Sequence, residues 1–134
     1  VNTALAQKYT DTYINDANIA AIEWLNNLNT GEYAKAYSAL SKEVKEIASS
    51  ETWVGFINEL MLEFGKFKSR RVIEKYFKSE VEGIEDGFYV FIKFEVKYSN
   101  TKNHIENLLI KQNDKLKWEI LDYSYIFEDD KYTE

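Results

Sequence analysis

No cysteine occurs in the chain, which removes disulfides, thiolate catalysis and cysteine-based zinc sites together and leaves the redox compartment undecided. Histidine occurs once, at His104, so a Ser-His-Asp arrangement would need a buried second partner for that ring. Placed at the start of a strand beside a polar loop, His104 reads as a solvated strand-end residue. The five glycines are scattered, so no glycine-rich phosphate loop is present, and there is no proline, internal repeat or low-complexity segment. No run of about 18 apolar residues exists, so nothing here spans a bilayer as a helix. Basic residues are outnumbered, 17 Lys and Arg against 23 Asp and Glu, for a net charge of −6. Phosphate neutralisation by Lys and Arg carries most nucleic-acid affinity, so this balance disfavours nucleic acid and equally disfavours anionic membrane surfaces.

What is present is a soluble globular balance, 45% hydrophobic and 30% charged, over 134 residues. That length is most economically one domain, residues 1–134, burying roughly two-thirds of its unfolded surface. Ten Tyr, eight Phe and three Trp call for a large core or an aromatic-lined pocket, and composition does not choose between them. The chain starts at Val1 with no basic or apolar leader, as a mature exported protein or an artificially trimmed chain does. An exported location (periplasmic, cell-surface or secreted) is therefore expected, with a cytoplasmic one left open.

The organising stretch is Gly87 to Ser99. Phe88, Val90, Ile92, Phe94, Val96 and Tyr98 share one parity and face a core, while Lys93, Glu95 and Lys97 share the other. Upstream the period is helical. Ile14, Ala17, Ala21, Trp24, Leu25 and Leu28 predict a helix over 12–28, stopped by Gly31, with Ala20 and Ala21 small enough for a close neighbour. A short helix over 32–40 places Tyr33, Tyr37 and Leu40 together, and Ser41 caps a further turn with Val44 and Ile47. Ser49 and Ser50 cap a helix over 51–64 whose face is Trp53, Phe56, Ile57, Leu60 and Phe64, and Gly65 ends it. From Lys66 the period becomes two. A strand over 66–82 carries a bulge at Val72-Ile73 and turns through Asp86-Gly87 into the organising strand. A third strand runs over 104–112 and a fourth over 116–127, where Leu116, Trp118 and Ile120 share a face until the phase slips near Leu121. Residues 1–11 and 128–134 are expected to be mobile.

Helices over about 12–64 followed by antiparallel strands over about 66–127 make the α+β class. The expectation is a curved four-stranded antiparallel sheet, helices packed in its concave face, wrapped around the 51–64 helix. Several short motifs run through this layout: Trp24-Leu25, Gly31-Glu32-Tyr33, Trp53, Gly65 to Arg70, Asp86 to Val90, Glu106, and Trp118 to Tyr123. On them the chain resembles the nuclear-transport-factor-2-like, or cystatin-like, superfamily, and within it a bacterial family of exported proteins without assigned function. That resemblance implies a cone-shaped fold whose open end often holds a cavity. Members include isomerases, dehydratases, binding modules and assembly subunits, so the residues must decide function.

The carboxylates that are candidates to point inward are Glu95, Glu106 and Asp122, each more often a solvent-facing sheet residue or half of a cross-strand ion pair. The acidic clusters at 80–86 and 128–130 lack calcium-loop spacing and read as solvated charge, so neither a metal nor a cofactor is called for. Of Arg70 and Arg71, adjacent on a strand, one should point inward unless the bulge intervenes. An inward Arg70 either binds a ligand's carboxylate or phosphate, pairs with an inward acid such as Glu106, or snorkels to the rim. The candidate ligand-binding set is Trp24, Tyr37, Trp53, Arg70, Phe94, Glu106 and Tyr123, its aromatic members read as core first and pocket second. The favoured function is a non-catalytic domain binding a small apolar or acidic molecule, or a partner protein, through the open cone. The alternative is an assembly module forming a homodimer through an outer sheet face carrying Tyr89 and Phe91. A small acid/base enzyme of isomerase or dehydratase type is the weakest reading.

Overall fold

The computed structural model describes residues 3–129. Four helices precede four strands: α1 (Thr3–Asn29), α2 (Tyr33–Ser38), α3 (Lys42–Ile47) and α4 (Ser50–Phe64), then β1 (Phe67–Lys78), β2 (Tyr89–Tyr98), β3 (His104–Gln112) and β4 (Trp118–Phe127). The strands form one antiparallel, curved and unclosed sheet in the order β1-β2-β3-β4, which is the expected α+β layout. α1 begins well ahead of Thr12. The expected mobile ends include residues 1–2 and 130–134, which lie outside the described residues.

Local chemistry sets the helix ends. α1 stops in a Schellman arrangement, with Gly31 at φ 80° donating to the Leu28 carbonyl and Glu32 donating to that of Asn27 at 2.8 Å. The hydroxyls of Ser41 and Ser49 accept from Val44 and Thr52 N–H groups and start α3 and α4, a capping contribution of about 1 kcal/mol each. Gly65, at φ 86°, turns the chain from α4 into β1.

Three register shifts, the first between Phe67 and Ser69 in β1, reconcile the irregular patterns of the edge strands with a single core face. The β1–β2 register skips between Val72 and Glu74, as the adjacent Val72-Ile73 pair predicts. The β3–β4 register shifts between Leu109 and Ile110, passing over Leu121, so Ile120 and Tyr123 both face inward despite opposite parity. Cross-strand partners share a face, which places Arg70 opposite Val96 on the concave side and Arg71 opposite Glu95 on the outer side.

The same alternation gives Glu95 and Asp122 the commoner of their two expected roles and corrects other expectations. Glu95 points outward and pairs with Arg71 at 3.0 Å, because it shares parity with Lys93 and Lys97 rather than with Phe94. Asp122 is exposed opposite Leu109, carried outward by the bulge at Leu121. Only Glu106 of the three carboxylates is inward. Leu116 is 73% exposed in a turn where the Asn113 side chain accepts from Lys115 and Lys117, so β4 starts at Trp118. Phe56 and Ile47 are exposed, and Met61 occupies the buried stripe of α4 in place of Phe56. Phe88 precedes β2 and packs on Tyr13 and Phe77 instead of entering the core. Tyr89 is buried, with its hydroxyl donating to the Glu85 carbonyl at 2.6 Å, which removes it from any outer-face contact.

The helix at the centre is α1, not α4. α1 contacts all four strands, whereas α4 packs chiefly on α1 and α2. Its 27 residues span about 40 Å, and the buried Ala17 and Ala21 let it lie close to the sheet. Trp24, Leu25 and Leu28 seal that contact, each worth roughly 1.5–3 kcal/mol of burial. The edge of β4 is met by the chain between α2 and α3: Ser41 donates to the Ile120 carbonyl at 2.8 Å and Ile120 to that of Ala39 at 3.0 Å.

Candidate functional site

Between α1 and the concave face lies a polar network enclosed in aromatic rings. β1 brings in Arg70, whose guanidinium carbon stands 4.7 Å from the Phe67 ring centre and 6.0 Å from that of Phe94. Its Nε donates to Glu106 Oε1 at 2.7 Å, one Nη to Asn29 Oδ1 at 2.9 Å and the other to the Tyr98 hydroxyl at 3.1 Å. The second carboxylate oxygen accepts from Tyr123 at 2.7 Å and Tyr98 at 3.3 Å. Asn29 also donates to the Tyr98 hydroxyl at 2.9 Å. The Arg70 side chain is 6% exposed and that of Glu106 0%. A dry ion pair is tolerated only when its remaining donors and acceptors are met, and here both carboxylate oxygens are bonded. Of the three roles open to Arg70 in the sequence, the structure gives the pairing with Glu106.

Burial and the Glu106 charge push the Tyr98 hydroxyl up to about 12, and that of Tyr123 well above its usual 10 for the same two reasons. Both phenols therefore stay protonated and keep donating at neutral pH.

The rest of the candidate set continues the layer. Trp24 donates its indole N–H to the Ala36 carbonyl at 2.9 Å and meets Tyr123 edge-on at 5.3 Å. Trp53 lies 6.2 Å from Trp24 and 5.9 Å from Tyr37, whose hydroxyl donates to the Ala48 carbonyl at 2.7 Å. The seven residues thus come together, joined at the Trp24–Tyr123 contact. Asn29, Phe67 and Tyr98 belong to the same network and were not singled out by the sequence. Asn29 reads there as helix-end polarity, and Tyr98 as one more apolar-face position.

His104 is a correction. It is 1% exposed, held among Phe64 at 4.5 Å, Phe127 at 4.8 Å, Tyr98 at 5.2 Å and Tyr125 at 5.8 Å. The end of α4 roofs this strand end, because Asn100 donates to the Phe64 and Glu63 carbonyls. Its Nδ1 is 2.9 Å from the Thr101 hydroxyl, Nε2 is buried without a hydrogen-bond partner, and burial lowers its proton affinity.

Beside the network, where α1 and α4 end and β1 begins, a cleft of about 220 Å³ opens. Leu28, Tyr33, Met61, Leu62 and Phe67 wall it, and Asn29 and Tyr98 give it a polar floor. Neither Trp53 nor Arg70 lines it. A recess of about 310 Å³ lies beside Lys111, but that cation is already paired with Glu43 at 2.7 Å and Glu85 at 3.7 Å. Among the described residues no group of His, Cys, Asp or Glu is arranged to hold a metal ion, and no helix is long and apolar enough to cross a membrane.

A family model matches residues 20–123. The chain belongs to that family, described as a protein of unknown function (DUF4019). No curated protein and no solved structure matches the chain. The DUF4019 segment runs from α1 to Tyr123, so it contains the whole Arg70–Glu106 network, His104 and the walls of the cleft.

Proposed function

We propose that this DUF4019 domain is a non-catalytic binding module of the nuclear-transport-factor-2-like type, taking a small, mainly apolar molecule in the cleft between the ends of α1 and α4. The observation that carries the reading is the cleft itself: an apolar wall over a floor whose polar groups are already paired. A floor so satisfied offers little to a highly charged ligand and favours contact by area. At about 220 Å³ the space falls below the roughly 300–1,000 Å³ of sites for drug-sized ligands, so the occupant is small. Glu106 supports the absence of acid/base chemistry, since it is fully buried with both oxygens occupied and out of a substrate's reach.

The test is a thermal-shift screen with hexanoate, indole and benzoate, repeated on Leu62→Asp, which puts a charge on the exposed rim. A probe at 100 times its Kd adds about 2.7 kcal/mol, a rise of several degrees in wild type that the variant loses. A flat screen, or a variant that responds as wild type does, overturns the reading.

A second reading, assembly through the outer sheet face, is favoured by Tyr76 and Phe91, which stack there at 5.1 Å and 10° with Tyr76 37% exposed. Native mass separates the two. A stable dimer indifferent to every probe supports assembly, and a monomer that responds supports the cleft.

A further inference from the structure

Four backbone and side-chain hydrogen bonds clamp the hairpin between β2 and β3 onto the end of α4 and the residues that follow it. Lys66 N–H donates to the Ser99 hydroxyl at 2.7 Å and Ser99 N–H to the Lys66 carbonyl at 2.8 Å. Asn100 N–H reaches the Phe64 carbonyl at 3.0 Å and its amide the Glu63 carbonyl at 3.3 Å. Gly65 N–H closes the last turn on Met61 at 3.0 Å. Directly beneath stands the His104 ring, in near-perpendicular contact with Phe64 at 4.5 Å and bonded through Nδ1 to Thr101 of the hairpin.

We propose that His104 is a proton-operated latch: a neutral ring holds the hairpin and the end of α4 together, and the imidazolium releases them. The neutral ring fits its place. One nitrogen is met by the Thr101 hydroxyl and the other faces rings, leaving at most one weak polar group unmet. The imidazolium has two N–H donors and a full charge, and Nε2 has no acceptor in the cage. No neighbouring element supplies a free counter-charge. β1 presents Arg70, a cation; β3 presents Glu106, already neutralised by it; β2 and β4 present the phenols of Tyr98 and Tyr125; α4 presents Phe64. Burial accordingly holds the ring below its usual 6.5. Moving the charged ring toward water displaces Thr101 and unseats Phe64, which breaks the clamp. Gly65, Lys66 and Tyr98 also line the cleft, so release loosens it; that consequence, though not the latch, rests on the cleft being a binding site.

The test is amide hydrogen exchange at pH 7.5 and pH 5.0, expressed as protection factors. For Lys66, Ser99 and Asn100 these fall about tenfold or more at the lower pH in wild type, tenfold being one pH unit of protonation. They hold steady in His104→Phe, which keeps the packing and cannot titrate. Unchanged protection in wild type, or the same fall in the variant, overturns the latch. Should His104→Phe fail to fold, the wild-type imidazole decides. It is the only histidine ring, so its NMR titration is unambiguous. A shared midpoint below 6.5 for ring protonation and loss of clamp protection supports the latch, and separate midpoints overturn it. A latch that titrates in a protein binding no indole at either pH refutes the cleft reading alone; indole binding with a silent ring refutes the latch alone.

Discussion

Arg70→Met keeps most of the side chain's apolar length and removes its charge and its three hydrogen bonds. Glu106, 0% exposed, is then left with two phenol donors and no counter-charge. Stranding one member of a buried pair costs about 3–5 kcal/mol. A small domain has roughly 5–15 kcal/mol in all, so the variant is folded but severely weakened, with a melting point lower by at least about 10 °C. Glu106→Leu fails by a similar amount for the opposite reason, a buried guanidinium without its acid. In the double variant no charge remains, and the residual cost is mainly the unmet Tyr123 hydroxyl, about 1–3 kcal/mol. The double is therefore expected to be more stable than either single by about 2 kcal/mol. Urea unfolding followed by tryptophan fluorescence closes the cycle, since Trp24 stacks edge-on to Tyr123 beside the network. If the double loses the sum of the singles, the residues do not act as a pair and the account of the network is wrong.

Three further outcomes are expected. Gly65→Ala forces an alanine to φ 86° and drives its Cβ into the Ser99 hydroxyl, costing about 2–4 kcal/mol in urea unfolding; a loss below about 1 kcal/mol refutes the clamp geometry. Trp24→Phe gives up the bond to the Ala36 carbonyl and leaves a small void, a loss of about 1–3 kcal/mol, and a neutral result would mean that the indole N–H contributes nothing. The Tyr98 phenol is raised in the fold, so its stabilising share is whole below pH 10 and drains away as pH climbs from 10 toward about 12. Urea midpoints between pH 9 and 11 should fall in wild type and fall less steeply in Tyr98→Phe; equal slopes count against a buried, neutral phenol.

What the sequence makes legible is what local pattern encodes. The alternation of β2 survives intact in its buried face, and the doubled apolar pairs near Val72 and Leu121 mark two of the three register shifts because two neighbours can share a face only if the pleat slips. The pairing of an inward arginine with Glu106 was readable in part: Glu106 lies opposite Phe94, but parity leaves Arg70 and Arg71 undecided until the shift between Phe67 and Ser69 turns Arg70 inward. The rest depends on what arrives from far along the chain. His104 looks solvated until the end of α4 is laid over it, and Phe56 looks buried until α1 takes the sheet that α4 was expected to occupy. Asn29 joins the network only because the last turn of α1 ends above Arg70 and Tyr98, a meeting across 41 and 69 positions of chain.

The contact of α1 with every strand carries a consequence for synthesis. The helix is complete at Asn29, but its last partner strand ends at Phe127, 98 residues later (127 − 29). At roughly 5–20 residues per second the ribosome takes on the order of 5–20 s to deliver that partner. Until the interval ends the stripe of Ala17, Trp24, Leu25 and Leu28 lacks part of the sheet that covers it. The nascent chain thus offers a long, sticky amphipathic helix to any chaperone at the exit tunnel, and the final hairpin is the event that withdraws it.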